Sequence, residues 1–245
     1  MRIKVINPDY GMDDATLRAR ERMLSAIARP DTDISMDCIT ETRVEIDSAL
    51  DVVLAGPEIV RRAIAAERDG YDAFVLYCLS DPAIVACREA VRIPVVGCGQ
   101  ASMVVAASLG YRFSLLTNTE QRTPEKAESV RYSGVDASRL ASVRSIRLPY
   151  GDPREDILHT VQELTKAGRR CVEEDGATVL ILGCLSFAGM GPDVAAEVGV
   201  PVVDPAFAGI NMAELLHAQR ISHSKKAYPF PPVRPRSWER GQIDV

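Results

Sequence analysis

Two cysteines in this chain sit in matching surroundings. Cys78 is followed by Leu79-Ser80 and Cys184 by Leu185-Ser186, and a glycine stands eight residues before each, Gly70 and Gly176. Each closes an apolar run, Ala73-Phe74-Val75-Leu76-Tyr77 in the first case and Thr178-Val179-Leu180-Ile181-Leu182-Gly183 in the second. A free thiol has a pKa of about 8.5. A helix N-terminus, with unpaired amides and a partial positive charge, brings a thiol toward thiolate near neutrality and makes it a base or a nucleophile. Two such sulfurs facing one carbon can exchange a proton at a stereocentre. One thiolate removes the proton from one face, and the opposite thiol delivers a proton to the other. The reverse reaction exchanges the roles, so the two groups must be of one type in mirrored placement. Helix N-terminal amides and Ser or Thr hydroxyls can serve the developing oxyanion.

The remaining cysteines read as small buried hydrophobes. Cys87 and Cys171 fall in helical stretches and Cys38 in a strand, while Cys98 stands closer to a strand end. No Cys-x-x-Cys pair occurs, and His159, His217 and His223 have no zinc spacing, so no metal site is expected. Gly97-Cys98-Gly99 lacks the third glycine of a dinucleotide loop, Ser102 standing in its place, so no cofactor is expected. Gly-x-Ser-x-Gly is absent, which excludes the common serine-hydrolase arrangement.

The elements that would position the two thiols alternate along the chain. β-Branched runs predict strands at 2–7, 34–40, 73–78, 94–97, 112–117, 142–148, 178–183 and 201–203. Helical stretches fall at 12–28, 48–69, 81–91, 99–109, 119–133, 153–175, 189–198 and 205–222, with Thr119 or Thr123 as the cap of the fifth. Strand alternating with helix implies parallel sheets covered on both faces. The spacing repeats: strand starts at 2, 34, 73 and 94 are echoed at 112, 142, 178 and 201, and Ile93-Pro94-Val95-Val96 is echoed by Val200-Pro201-Val202-Val203. The expected fold is therefore α/β, with two pseudo-symmetric lobes, each a parallel sheet of about four strands flanked by helices, and a cleft between them. Residues 1–98 with 206–245 would form one lobe and its C-terminal arm, and residues 99–205 the other.

In such sheets ligands bind beyond the carboxyl ends of the strands. That rule adds candidates to Cys78 and Cys184 as the catalytic pair. Asn7 ends the first strand and either binds a ligand carbonyl or forms an Asx turn into Pro8. Ser80 and Ser186 donate to the ligand or cap helices. Asp81, before Pro82, reads as a helix-entry residue or as an orienter of Cys78 or the ligand. Thr117 and Asn118 end the fifth strand, and Leu185 adjoins the second thiol.

Composition bounds the function. With 245 residues, 47% hydrophobic and 26% charged, the chain can bury one large core or two smaller ones. A net charge of −5 with 5% aromatics lacks the basic face and stacking platforms of a nucleic-acid binder. Ile93 to Tyr111 is uncharged, but Pro94, Gly97, Gly99, Ser102, Ser108 and Gly110 break it up, so no membrane span is expected. The run Arg2-Ile3-Lys4-Val5-Ile6-Asn7-Pro8 has no signal-peptide core, which predicts a cytoplasmic protein with free thiols. The proline-rich tail from Tyr228 to Pro235 cannot propagate a helix or a central strand. It reads as an extended arm on the chain's own surface or on a neighbouring subunit of a homo-oligomer, or alternatively as a ligand for a proline-recognising partner.

These residues also carry a family resemblance. Ile3-Lys4-Val5-Ile6-Asn7-Pro8, Cys78-Leu79-Ser80-Asp81-Pro82, Ile93-Pro94-Val95-Val96-Gly97, Phe113-Ser114-Leu115-Leu116-Thr117 and Leu182-Gly183-Cys184 with Val200-Pro201-Val202-Val203-Asp204 make the chain resemble the aspartate/glutamate racemase superfamily. Within it, the likeness is to the hydantoin racemase family, which includes allantoin racemases, and it runs from about Arg2 to Ala218. It implies two-cysteine, cofactor-independent racemisation of a small-molecule substrate, with Cys78 and Cys184 as the acid/base pair. Amino-acid racemases of the superfamily usually carry Asn-Thr after the first cysteine and Thr-His after the second. Leu-Ser at both positions here implies a 5-substituted hydantoin or allantoin ahead of free aspartate or glutamate. Rival readings are a related isomerase or decarboxylase, and a non-catalytic two-lobed binding protein with inert cysteines.

Overall fold

The computed structural model describes residues 1–149 and 151–234. The first half runs β1 (Arg2–Tyr10), α1 (Asp14–Ile27), β2 (Asp33–Ile39), α2 (Ala49–Arg68), β3 (Ala73–Leu76), α3 (Ile84–Ala90) and β4 (Val95–Gly97), then α4 (Cys98–Leu109). The second half runs β5 (Phe113–Thr117), α5 (Thr123–Ser129), β6 (Leu140–Ser145), α6 (Ile157–Glu173), β7 (Val179–Leu182), α7 (Gly191–Val198) and β8 (Val202–Val203), then α8 (Pro205–Ala218). One sheet has the order β2-β1-β3-β4 and the other β6-β5-β7-β8, with every pairing parallel.

The local reasons are visible in the residues. β3 (Ala-Phe-Val-Leu) and β7 (Val-Leu-Ile-Leu) are buried at every position, as central parallel strands with both faces covered must be. Asp13, Ser48, Asp156 and Asp204 cap α1, α2, α6 and α8 by accepting from the amides of Thr16, Asp51, His159 and Ala206. The repeat extends to single hydrogen bonds. Arg2 Nη1 donates to the Asp69 carbonyl at 3.0 Å, and Arg112 Nη1 donates to the Asp175 carbonyl at 3.0 Å. Each carbonyl precedes a glycine in the left-handed region, Gly70 at φ +79° and Gly176 at +71°.

Two helices join the halves. α4 leaves the first sheet and packs on β7 and on α8, while α8 leaves the second sheet and packs on β3 and β4. The tail from Ser222 to Phe230 lies on α3, β4 and the loop between them in its own chain. Lys225 Nζ donates to the Arg88 and Val91 carbonyls at 2.6 and 2.5 Å, satisfying the open C-terminus of α3. Burial pushes the His223 imidazole down to about 4, and its Nε2 lies 2.9 Å from the Val95 amide. Tyr228 packs under Arg88, and Phe230 packs under Arg92 and Lys225. The last residue of the proline-rich run, Pro235, lies outside the described residues.

Several boundaries differ from the sequence expectation for identifiable reasons. β1 continues to Tyr10 instead of stopping at residue 7, because the register shifts between Asn7 and Tyr10 and absorbs Pro8, which has no amide to donate. Asn7 therefore lies inside a strand and makes no Asx turn. The helix expected from 81 starts at Ile84, because Asp81 (φ +45°) and Ala83 (φ +57°) form a left-handed turn after Cys78. The stretch 119–133 is α5 flanked by 3-10 turns, Glu120–Arg122 before it and Val130–Tyr132 after it. α8 ends at Ala218, and Arg220 (φ +55°) follows the chain's exit. Among the described residues no helix is long and apolar enough to cross a membrane.

Candidate functional site

In each sheet the chain changes direction of growth between its first and third strands, β1 and β3 or β5 and β7. That switch point is where open parallel sheets form a crevice. A cavity of about 470 Å³ opens there, lined from both halves. Asn7 and Asp9 come from β1, Cys78 to Ser80 follow β3, Asn118 follows β5, and Gly183 to Ser186 follow β7. Tyr77 bridges the halves, its buried hydroxyl donating to the Leu185 carbonyl at 3.3 Å.

The two thiols hold equivalent places. Each stands two residues past its strand, each is half-buried and each lines this cavity. The Leu-Ser that follows both has a common role: the Ser80 backbone beside Cys78, and the Ser186 backbone and hydroxyl beside Cys184, favour the thiolate form. Burial raises both thiols, Cys78 to about 12, and the Lys126 ammonium together with the adjoining serine pulls each the other way. Asp9 raises both. One cation and one carboxylate thus act on both sulfurs.

The positive field does not come from helix N-termini as expected. α3 starts six residues after Cys78, and Cys184 precedes only the short 3-10 turn Leu185–Phe187. The cation acting on both thiols is instead Lys126 of α5, buried beside Arg122 just before that helix. Their nitrogens donate to the Ser80 hydroxyl oxygen at 2.8 and 2.9 Å. With both lone pairs taken, that hydroxyl must direct its own proton elsewhere, and the cavity is open to it. Arg122 and Lys126 share Glu125 at 3.0 and 3.4 Å. Asp9 accepts from the Ile46 amide at 2.9 Å, which ties the 45–47 rim to β1, and burial raises its pKa.

Seven of the nine residues singled out from sequence line the cavity: Asn7, Cys78, Ser80, Asn118, Cys184, Leu185 and Ser186. Asp81 and Thr117 do not. Asp81 turns its carboxylate to the first turn of α4, accepting from Gly99 N at 2.9 Å and Gln100 N at 2.7 Å. Burial lifts it to about 7 against those two bonds. A methyl group on Gly97 would overlap that carboxylate, and one on Gly99 would overlap the Leu79 carbonyl, so the close approach requires glycine. Thr117 is wholly buried, and its Oγ1 has no partner among the described residues. Cys98 lies behind the site, fully buried. Cys38, Cys87 and Cys171 are buried, and all six cysteines are free. Among the described residues no group of three or more His, Cys, Asp or Glu is placed to hold a metal. Lys126, Arg122, Arg20 and Asp9 were not singled out from sequence. Arg20 carried a signal, a charge on the buried stripe Leu17, Arg20, Leu24 of α1.

The sequence profile described as Asp/Glu/Hydantoin racemase matches residues 3–213. The chain belongs to that family. Membership places it among the racemases, a class of isomerases. It is 32% identical to a hydantoin racemase of Pseudomonas sp. (strain NS671), over 94% of this chain and 92% of that one. Allantoin racemase from Klebsiella pneumoniae superimposes with a TM-score of 0.88 at 27% identity, covering 97% of this chain and 96% of the other. Arylmalonate decarboxylase superimposes with a TM-score of 0.64 at 19% identity over 88% of this chain and 92% of the other, a likeness of fold.

Proposed function

We propose that the chain is a cofactor-independent racemase of a 5-substituted hydantoin or a related ring such as allantoin, with Cys78 and Cys184 as the acid/base pair. The observation that carries this is the entry of both thiols, from equivalent strand ends and each followed by Leu-Ser, into one cavity lined from both halves. The proton on the ring carbon lies next to a carbonyl and a nitrogen, so its acidity suits a thiolate without an electron-sink cofactor. One thiolate takes the proton, and the electron pair moves onto the carbonyl oxygen. The opposite thiol then protonates the other face and is left as thiolate, ready for the reverse direction. The Ser80 hydroxyl, polarised by Lys126 and Arg122, is the donor for the enolate oxygen.

The test is loss of optical activity from single enantiomers of 5-substituted hydantoins, allantoin, aspartate and glutamate. Racemisation of the ring substrates with the free amino acids inert is expected. Inert rings with active amino acids, or no turnover of any, would reject the reading.

A further inference from the structure

Arg20 is a charge on an apolar stripe. It sits between Leu17 and Leu24 on the buried face of α1, a position where packing calls for a hydrophobic side chain. It is 8% exposed and reaches the cavity wall, its guanidinium carbon 5.5 Å from the centre of the Tyr77 ring. Its Nε has no hydrogen-bond partner among the described residues. None of the ion pairs among the described residues includes it.

The other two buried cations of the cavity are engaged, Arg122 and Lys126 with Glu125 and the Ser80 hydroxyl. Of the acids on the wall, Glu45, Asp47 and Asp152 stand exposed at the rim, which leaves half-buried Asp9 as the deep carboxylate. Asp9 feels the charge of Arg20 without pairing to it, and its own carboxyl is biased toward the neutral form by burial. A buried guanidinium with an idle donor is costly to keep unless an acceptor arrives with the ligand. The division of labour also fits. Lys126 is the cation acting most on the two thiols, whereas Arg20 acts on Tyr77 and Asp9.

We propose that Arg20 binds a carboxylate carried by the substituent on the reacting carbon, so that the site prefers ring carbon acids with acidic side chains. This rests on the racemase reading above and specifies its substrate class. The probes are hydantoins bearing carboxymethyl and carbamoylmethyl groups at C5, an acid and an amide of nearly one shape. The wild-type protein is expected to favour the acid in kcat/KM by about tenfold or more, the range of a charge-assisted hydrogen bond. Arg20→Gln should bring that ratio close to one, and Arg20→Lys should keep part of it. A wild-type ratio of one or below, or an unchanged ratio in Arg20→Gln, would overturn the assignment while leaving racemisation itself standing. If Arg20→Gln does not fold, the ratios of the wild type and of Arg20→Lys decide the matter. No racemisation of either probe or of any neutral hydantoin would overturn the racemase reading and this assignment with it.

Discussion

Cys78→Ser and Cys184→Ser are each expected to lower racemisation by about three orders of magnitude, within the range a positioned acid or base contributes. That corresponds to about 4 kcal/mol of transition-state stabilisation. A serine hydroxyl keeps roughly the size and polarity of the thiol but does not ionise in the working range. The two variants should fail differently. Each retains one intact base, so each should still wash the C5 proton of one enantiomer into solvent faster than that of the other, and the favoured enantiomer should be opposite in the two. Chiral chromatography with mass detection reads both quantities. Because the sulfurs lie at cavity walls and not in packed interiors, the melting temperature of each variant should stay near that of the wild type. Near-normal racemisation in either variant would remove that cysteine from the chemistry.

Lys126→Met should produce the second large effect. Burial raises both thiols, and the Lys126 ammonium counters it at both. Removing the cation leaves desolvation and Asp9 opposed only by the adjoining serine at each sulfur, so both thiols move further up. The ascending limb of kcat/KM against pH should shift to higher pH by about one unit or more, the usual effect of a nearby opposite charge. At neutral pH, where less thiolate then exists, the rate should fall by about 10- to 100-fold. Recovery as the pH is raised is the diagnostic feature. An equal loss at every pH, with the limb unmoved, would mean that Lys126 only holds Ser80 and α5 in place.

The duplicated pattern around Cys78 and Cys184 carried most of this site. A strand end followed by Leu-Ser recurs with the same glycine spacing, and the serine that favours each thiolate is the second residue of that dipeptide. The all-buried strands β3 and β7 were readable for the same reason, since a short unbroken apolar run bounded by turns has few other uses. The charges were less readable. Lys126 and Arg122 reach Ser80 across the cleft, from the other half of the chain, and their helix has no marker tying it to the first thiol. Asp81 misled because Asp-Pro after a strand resembles a helix entry. The two left-handed residues that follow Cys78 delay α3 and send the carboxylate to α4, a choice made by tertiary packing around Gly97 and Gly99. Arg20 was the exception, since a cation on a buried helical stripe is an anomaly visible without coordinates.

The most direct test of two sulfurs on opposite faces is the early time course in heavy water, starting from one pure enantiomer. With two bases, the proton removed from one face and the proton delivered to the other belong to different groups. The newly formed enantiomer should therefore carry deuterium from the first turnovers, while the remaining starting enantiomer stays protiated. Deuterium entering the unconverted starting enantiomer as fast as it enters the product would mean that one base serves both faces, and the opposed-thiol mechanism would be wrong.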